Sequence, residues 1–474
     1  MEMDFQDTSQ IKIPKDPFER IIGQEQAVNI AKLVPLQRRH LLLVGPPGTG
    51  KSLIAQAIAS VLPKPHYEVA VVDNLEHPER PIIEIKDAKQ LKKDQMAESQ
   101  FGKIITPLDV PAFVSEKLGF RCRRCAALSP YTELICPQCG AQKSTKNNFL
   151  DRYSMGGADS FGGPRVATTR KYPHGKEEIL IYERTKEGEI LMLTQDELRR
   201  MDENAKKSKR KILVPLKRPL FVQASGGSET ELLGDIRHDP YGSHPGLGTP
   251  AYQRVVPGAV HEAHEGVLFI DELSTLGNIQ RFILSAMQDK QFPIVGRNPM
   301  SSGAAVRVDN TPCDFLFVGA SNINDMKEII PPLRSRIRGD GYELLMNAYM
   351  EDTPGNRVKL FQFIAQEIVK DGKIPHMERE AAELVIEEGR KLARDIDSAS
   401  GLTLRLRNLA GIIKMAGDLT VSGKKKLIDA DDVRIAIKNS KPIEEQLQER
   451  YGNWWTTEAV DHGIKGTKAG PETA

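Results

Sequence analysis

Three short apolar runs punctuate the chain, each followed at once by polar or glycine-rich residues. Leu41 to Val44, Val267 to Ile270 and the run in "DFLFVGASN" have the unbroken apolar character of buried strands. The first leads through a glycine-rich turn into a helical pattern from about Ser52. Between the first and second runs the pattern changes. "KDAKQLKKDQMAESQFGK" is polar, "DENAKKSKRK" is a basic run, and "EEILIYERTKEGEILMLTQDEL" alternates as a hairpin would, with a turn near Glu187-Gly188. Further on, residues 355–370, 378–396 and 403–417 carry apolar residues at helical spacing. "DADDVRIAIKNS" opens with acids that suit a helix N-terminus. The pattern predicts an α/β domain over 14–345, interrupted by an insert over 74–220, then an α-helical domain over 346–440. An N-terminal arm (1–13) and a C-terminal tail (441–474) complete the division.

Composition narrows the classes. Hydrophobic residues make up 39% and charged residues 27%, enough to bury proper cores and stay soluble. A formal net charge of +2 points to neither a nucleic-acid sink nor an acidic partner. No apolar run approaches the roughly 18 residues of a membrane helix. "MEMDFQDTSQIKIPKD" has no basic-then-apolar signal pattern. The expected location is therefore the cytoplasm, with no membrane partner.

The glycine-rich turn carries the first chemistry. Gly45, Pro46, Pro47, Gly48, Thr49, Gly50, Lys51 and Ser52 fit G-x-x-x-x-G-K-[ST] between a strand and a helix. Its glycines let backbone N–H groups curl around phosphate oxygens. Lys51 would reach the β/γ-phosphates of ATP, and Ser52 would ligate Mg²⁺. Asp271 and Glu272 end the second strand, at the edge where open α/β sheets bind ligands. Asp271 would hold Mg²⁺ through water, and Glu272 would polarise the attacking water. Asn322 ends the third strand and could orient that water, or be an ordinary loop asparagine. In "PPLRSRIRGDGYE", Arg334, Arg336 and Arg338 are either surface charges or the source of an arginine finger, which requires a ring.

A second chemistry lies in the insert. Cys122-x-x-Cys125 and Cys136-x-x-Cys139 hold four of the five cysteines. Two such pairs form knuckles whose N–H groups donate to thiolates, giving a tetrahedral Zn²⁺ site with no open position. A zinc ribbon is expected at about 118–142, because a module this small needs a staple. Arg121, Arg123 and Arg124 beside it are a solvated rim or a contact for an acidic partner or nucleic acid.

These residues resemble the AAA+ ATPase superfamily, and more narrowly the ATPase part of archaeal Lon proteases of the LonB type. The likeness takes in "FERIIGQEQAV", "LLGDIRHDPYGSHPGLGTPAYQRVVPGAVHEAHEGVLFIDEL", "DKQFPIVGRNPMSSGAAVRV", "PCDFLFVGASN", "LRSRIRGDGYE", "DTPGNRVKLFQFIAQEIVKDGKIPH" and "LTLRLRNLAGIIKMAGD". It spans about residues 14–73 and 220–445, and implies a P-loop AAA+ domain of parallel sheet flanked by helices, with a helical lid. It places Ile21 to Gln24, Ile22 included, by the adenine. Arg336 falls at the arginine finger, and Arg407 at the second sensor, with Arg405 as the alternative. Tyr241 and Gly242 resemble the pore loop that grips substrate polypeptide; a Tyr-Gly pair is also an ordinary turn.

The family carries a C-terminal serine–lysine peptidase and, in archaea, membrane spans between the two nucleotide motifs. Here the residues after 440 are too few for that peptidase, and the insert holds cysteines where relatives hold apolar spans. The resemblance then implies a homo-oligomeric ring, expected to be a hexamer, that unfolds or translocates protein for a separate peptidase or for remodelling alone. The ribbon would replace the anchor as a soluble docking module. Two other classes stay open: a nucleic-acid-dependent motor that uses the ribbon and the basic run, and a nucleotide-gated scaffold without turnover. His261, Glu262 and His264 lack zincin spacing and read as structural, and Cys313 as a core residue. Trp454 and Trp455 could dock a peptidase subunit or pack against the lid.

Overall fold

A computed structural model describes residues 5–99, 102–133, 135–143, 165–171, 177–185, 188–199, 210–225, 228–241, 248–297, 306–441, 443 and 445–447. The chain forms two compact units. Met1–Pro65 with Lys217–Ala474 make the first, and His66–Leu216 the second.

The first unit is built on a five-stranded sheet. Helix α1 (Glu25–Gln37) precedes strand β1 (His40–Val44), and α2 (Lys51–Ser60) follows it. Then come β2 (Phe221–Ser225), β3 (Val267–Asp271), α3 (Gln280–Asp289), β4 (Leu316–Ser321), α4 (Pro331–Asp340) and β5 (Gly341–Leu345). The spatial order is β5–β1–β4–β3–β2, with every pairing parallel. Parallel strands need crossovers, and the helices that provide them cover both faces. That is why β1, β3 and β4 read as continuous apolar runs and not as alternation. Leu41 to Leu43, Val267 to Ile270 and Phe317 to Val318 are all fully buried. Their side chains divide between two hydrophobic clusters. One holds Leu42, Leu268, Ile270 and Phe317; the other holds Leu41, Leu43, Val267, Phe269 and Val318.

Past the sheet the same unit continues into helices α5 (Pro354–Asp371), α6 (Arg379–Asp397), α7 (Leu406–Ser422) and α8 (Ala430–Asn439). Their starts follow local chemistry. Thr353 caps α5 by accepting from Asn356 N, with Pro354 in the first turn, and Asp429 caps α8 by accepting from Asp432 N. Helix α7 begins at Leu406, three residues after the sequence pattern suggests, because Leu402–Thr403 pairs as a short strand with Tyr349–Met350. The four helices close over a core of Leu360, Ile364, Val385, Leu409 and Ile413, among others. Phe5 and Ile11 of the N-terminal arm pack into this core. Thr8 N donates to the Met377 carbonyl at 2.9 Å.

The second unit holds two antiparallel sheets. Tyr67–Val72 pairs with Ile82–Asp87 and with Arg210–Val214. A four-stranded sheet joins Lys103–Ile105, Ile190–Thr194, Glu177–Arg184 and Arg165–Lys171 in that order. The alternating stretch noted in the sequence is indeed a hairpin: Glu177–Arg184 pairs with Ile190–Thr194, and Gly188 takes φ +88° in the turn. Val114, Leu118, Phe120, Leu180, Tyr182 and Ile190 form its core. The expected start of the insert at 74 shifts to 66, because the apolar strand Tyr67–Val72 bonds to strands of this unit and to none of the parallel sheet.

Candidate functional site

The parallel sheet places the ends of three strands side by side, and each end carries a residue singled out by sequence. The loop 45–50 leaves β1, Asp271 closes β3, and Asn322 follows β4. Gly45 N donates to the Ser321 carbonyl at 3.1 Å, locking the start of the loop to the end of β4. Two glycines are required here. Gly48 takes φ +82°, and a Cβ on it would lie 3.0 Å from the Arg407 Cβ; Gly50 takes φ +90° as the residue before α2. The first turn of α2 therefore presents backbone N–H groups and the positive end of its dipole to the loop.

A cleft of about 410 Å³ opens at this edge. Pro47, Gly48, Gly50, Lys51 and Ser52 line it from the loop and α2, and Asp271, Glu272 and Asn322 from the sheet. Arg407 lines it from α7, and Leu406 N donates to the Gly48 carbonyl at 3.2 Å, so the helical part touches the loop directly. Arg405 is held elsewhere: its Nη2 lies 2.6 Å from Asp397 Oδ1. Lys51 is nearly buried, and its Nζ donates to the carbonyls of Gly45 at 2.7 Å and Pro46 at 2.9 Å. Burial foremost, with Arg407 adding to it, holds its pKa below the ordinary lysine value; Asp271 and Glu272 oppose that shift. Glu272 adopts φ 53° and ψ 53°, and its N–H donates to Asp271 Oδ1 at 3.2 Å. Asn322 Nδ2 donates to Asp325 Oδ2 at 3.2 Å. Thr49 packs inside the loop, its hydroxyl donating to the Pro46 carbonyl at 2.9 Å. Ser52, Asp271 and Glu272 together offer hard oxygen ligands, the donor set that suits Mg²⁺.

A second cleft, of about 560 Å³, continues from the first and shares Gly50, Leu53, Phe363 and Leu406 with it. Ile21 and Ile22 line this apolar end. Gln24, which precedes α1, is fully buried. Its Nε2 donates to the Asn347 carbonyl at 2.8 Å, and its Oε1 accepts from Asn347 N at 2.9 Å. The Ile21–Gln24 stretch thus ties the phosphate loop to the connection between sheet and helices. Sequence reasoning missed Phe363, Glu367 and Lys370 on α5, and Lys414 on α7, all of which line the first cleft. Their spacing of about one and two turns from Phe363 and from Arg407 is the signal that could have found them.

Arg336 does not line either cleft. It sits on α4, with Nη1 2.9 Å from Asp340 Oδ2, while Arg334 and Arg338 both pair with Glu343. Tyr241 is 66% exposed, and Asp239 accepts from both Tyr241 N and Thr249 N. Gly242, Trp454 and Trp455 lie outside the described residues. His261 is fully buried, with Nδ1 accepting from Gly258 N and Nε2 2.9 Å from the Phe292 carbonyl; burial lowers its pKa to about 4. His264 accepts from Asp314 N, and Cys313 is buried with its thiol pushed up to about 12, so all three are structural.

In the second unit the four cysteine sulfurs lie within 4.8 Å of one another. Cys122 and Cys139 are 3.6 Å apart, and Cys125 and Cys136 3.5 Å. Those spacings approach the edge of about 3.8 Å expected of a tetrahedron with metal–sulfur bonds of about 2.3 Å. The two halves repeat one geometry. Cys122 N donates to the Ala127 carbonyl and Cys136 N to the Ala141 carbonyl, with Ala126 and Gly140 both at positive φ. Backbone N–H groups of Cys125 and Arg124 pull the Cys122 thiol down to about 6, as a metal-binding knuckle requires. The donor set and its spacing fit Zn²⁺.

A phosphate loop, an acidic strand end, a polar third strand end and a helical lid on one cleft define the class: a P-loop AAA+ ATPase. Comparison with known proteins carries this further. A family model for magnesium chelatase, subunit ChlI, matches residues 17–95, and one for the sigma-54 interaction domain matches residues 221–313. A Lon protease homologue of Thermoplasma volcanium is 52% identical over 459 residues, 95% of this chain and 92% of that one. Archaeal Lon protease of Thermococcus kodakarensis is 39% identical over 95% of this chain and 63% of its own length. The chain belongs to the family of archaeal Lon protease homologues. Among solved structures, NtrX from Brucella abortus in complex with ATP aligns over 93% of this chain and 62% of its own. Its TM-score of 0.36 and 14% identity are too low to add to that assignment. Among the described residues no helix is long and apolar enough to cross a membrane.

Proposed function

We propose that the chain hydrolyses Mg²⁺-ATP within a homo-oligomeric ring and uses the cycle to unfold or translocate protein. The observation that carries the reading is the meeting of Lys51, Asp271, Glu272 and Asn322 with Arg407 of the lid on one cleft. Lys51 and the loop amides would hold the phosphates, and Ser52 and Asp271 the Mg²⁺. Glu272 would accept the proton of the attacking water, which Asn322 orients. Arg407 sits on a helix separate from the sheet, so its contact with a phosphate would couple hydrolysis to lid movement. Arg336 lies away from its own cleft and half-exposed, where a finger serving a neighbouring subunit would lie. Tyr241 is the exposed aromatic proposed to grip polypeptide. The unfolded product would suit a peptidase carried on a separate chain. Zn²⁺ would close the cysteine ribbon, which serves as a docking module, and the cytoplasm is the proposed location.

The nucleotide reading is tested by steady-state ATPase and ATP binding. Glu272→Gln should retain ATP binding and lose at least about 100-fold in turnover, the typical contribution of a general base. Lys51→Ala should lose binding. Unchanged turnover in Glu272→Gln would remove that residue from the chemistry.

A further inference from the structure

The apolar end of the nucleotide cleft holds a buried polar atom with no hydrogen-bond partner among the described residues. Gln366 lies on α5 and lines the 560 Å³ cleft beside Ile21, Ile22, Leu53, Phe363 and Leu406. Its Nε2 is buried from solvent and makes no hydrogen bond among the described residues. A buried amide donor without a partner is costly, so native chains keep few of them. Several other polar side chains along the cleft are already engaged. Arg20 Nε donates to the Pro14 carbonyl at 2.8 Å, Thr49 Oγ1 to the Pro46 carbonyl at 2.9 Å, and Ser60 Oγ to the Ala57 carbonyl at 2.7 Å. Glu367 pairs with Lys370 at 3.3 Å.

An apolar slot with one orphaned donor is how a site recognises a flat heteroaromatic ring bearing a nitrogen acceptor. The slot continues into the phosphate cleft through Gly50, Leu53 and Phe363, so one ligand can occupy both. We propose that Gln366 is the base-reading residue of this site: its Nε2–H donates to a ring nitrogen of the purine of a nucleoside triphosphate whose phosphates lie at Lys51. The inference rests on the nucleotide reading above and deepens it. It also explains why the polar residue is tolerated on the cleft side of a lid helix: its partner arrives with the ligand. A site built to make a hydrogen bond discriminates against a ligand that lacks the matching group, because the buried donor is then left unpaired.

The test is isothermal titration calorimetry of the full chain in a Glu272→Gln background, which prevents turnover. The titrants are Mg²⁺ with ATP and Mg²⁺ with inorganic tripolyphosphate. Gln366→Met, which keeps an unbranched chain of similar length, should raise the Kd for ATP about ten-fold. The Kd for tripolyphosphate, which has no base, should not change. An unchanged ATP affinity overturns the inference. So does a parallel loss for both ligands, since that would make the role structural. A background chain that binds neither ligand instead overturns the nucleotide reading itself. A second measurement needs no variant at Gln366. One of 1-deaza-, 3-deaza- and 7-deaza-ATP should bind about ten-fold more weakly than ATP, naming the nitrogen that accepts. Equal affinity for all four nucleotides contradicts the assignment.

Discussion

Gln24 shows how much a single buried amide can organise. It is fully buried, and both ends of its side chain are engaged by the backbone of Asn347, while Asn347 Nδ2 donates back to the Gly23 carbonyl at 3.2 Å. The pair joins the residues before α1 to the connection between sheet and helices. Gln24→Ala would remove the side-chain partner of the Asn347 N–H and carbonyl and leave a cavity where the buried amide stood. It should cost about 1–3 kcal/mol of stability, read as a lower denaturant midpoint in urea unfolding followed by circular dichroism. An unchanged midpoint would mean that water replaces the amide and the joint does not depend on it. Neither Gln24 nor Gln366 announces such a role in sequence, because a glutamine's partners are distant backbone groups that spacing cannot reveal. Lys51, Ser52, Asp271 and Glu272 were legible for the opposite reason. Their chemistry depends on a local strand, turn and helix whose residues are contiguous.

Elements show the same division between local and distant information. Strands β1, β3 and β4 could be read because a strand buried on both faces must be apolar throughout. The strand Tyr67–Val72 is also largely apolar, yet it pairs antiparallel in the second unit. Apolar character says that a strand is covered, not which sheet it joins, so its place in the unit His66–Leu216 is not legible in the sequence. Glu367 and Lys370 of α5 and Lys414 of α7 were missed because amphipathic periodicity identifies the buried face, whereas these residues line an open cleft. The cysteine knuckles were legible because four thiols in two Cys-x-x-Cys pairs at this spacing have few uses other than holding a metal. Their geometry predicts tight metal binding that depends on every sulfur. Cys122→Ser should drop bound zinc from about one per chain to near zero by mass spectrometry of the metal. Full retention of zinc would contradict a four-sulfur site.

At the scale of the whole molecule, Arg336 is the residue whose proposed role depends on assembly. It does not line its own cleft and is braced by Asp340, so the proposed finger role requires a neighbour's site. Arg336→Ala alone should lose ATPase by about 1,000-fold or more, the range of arginine-finger effects, and Lys51→Ala alone should lose it through lost nucleotide binding. Mixing the two should restore part of the activity, because a Lys51→Ala subunit donates its intact finger to an intact phosphate loop next to it. No recovery in rings that are shown to be mixed would place Arg336 outside the chemistry. Whether the proposed cycle works on protein is read from steady-state ATPase of the zinc-loaded chain, alone, with an unfolded protein, and with single-stranded DNA. Stimulation by unfolded protein and not by DNA is the predicted result. Stimulation by DNA alone would contradict it and leave a Lon-like fold driving a nucleic-acid motor.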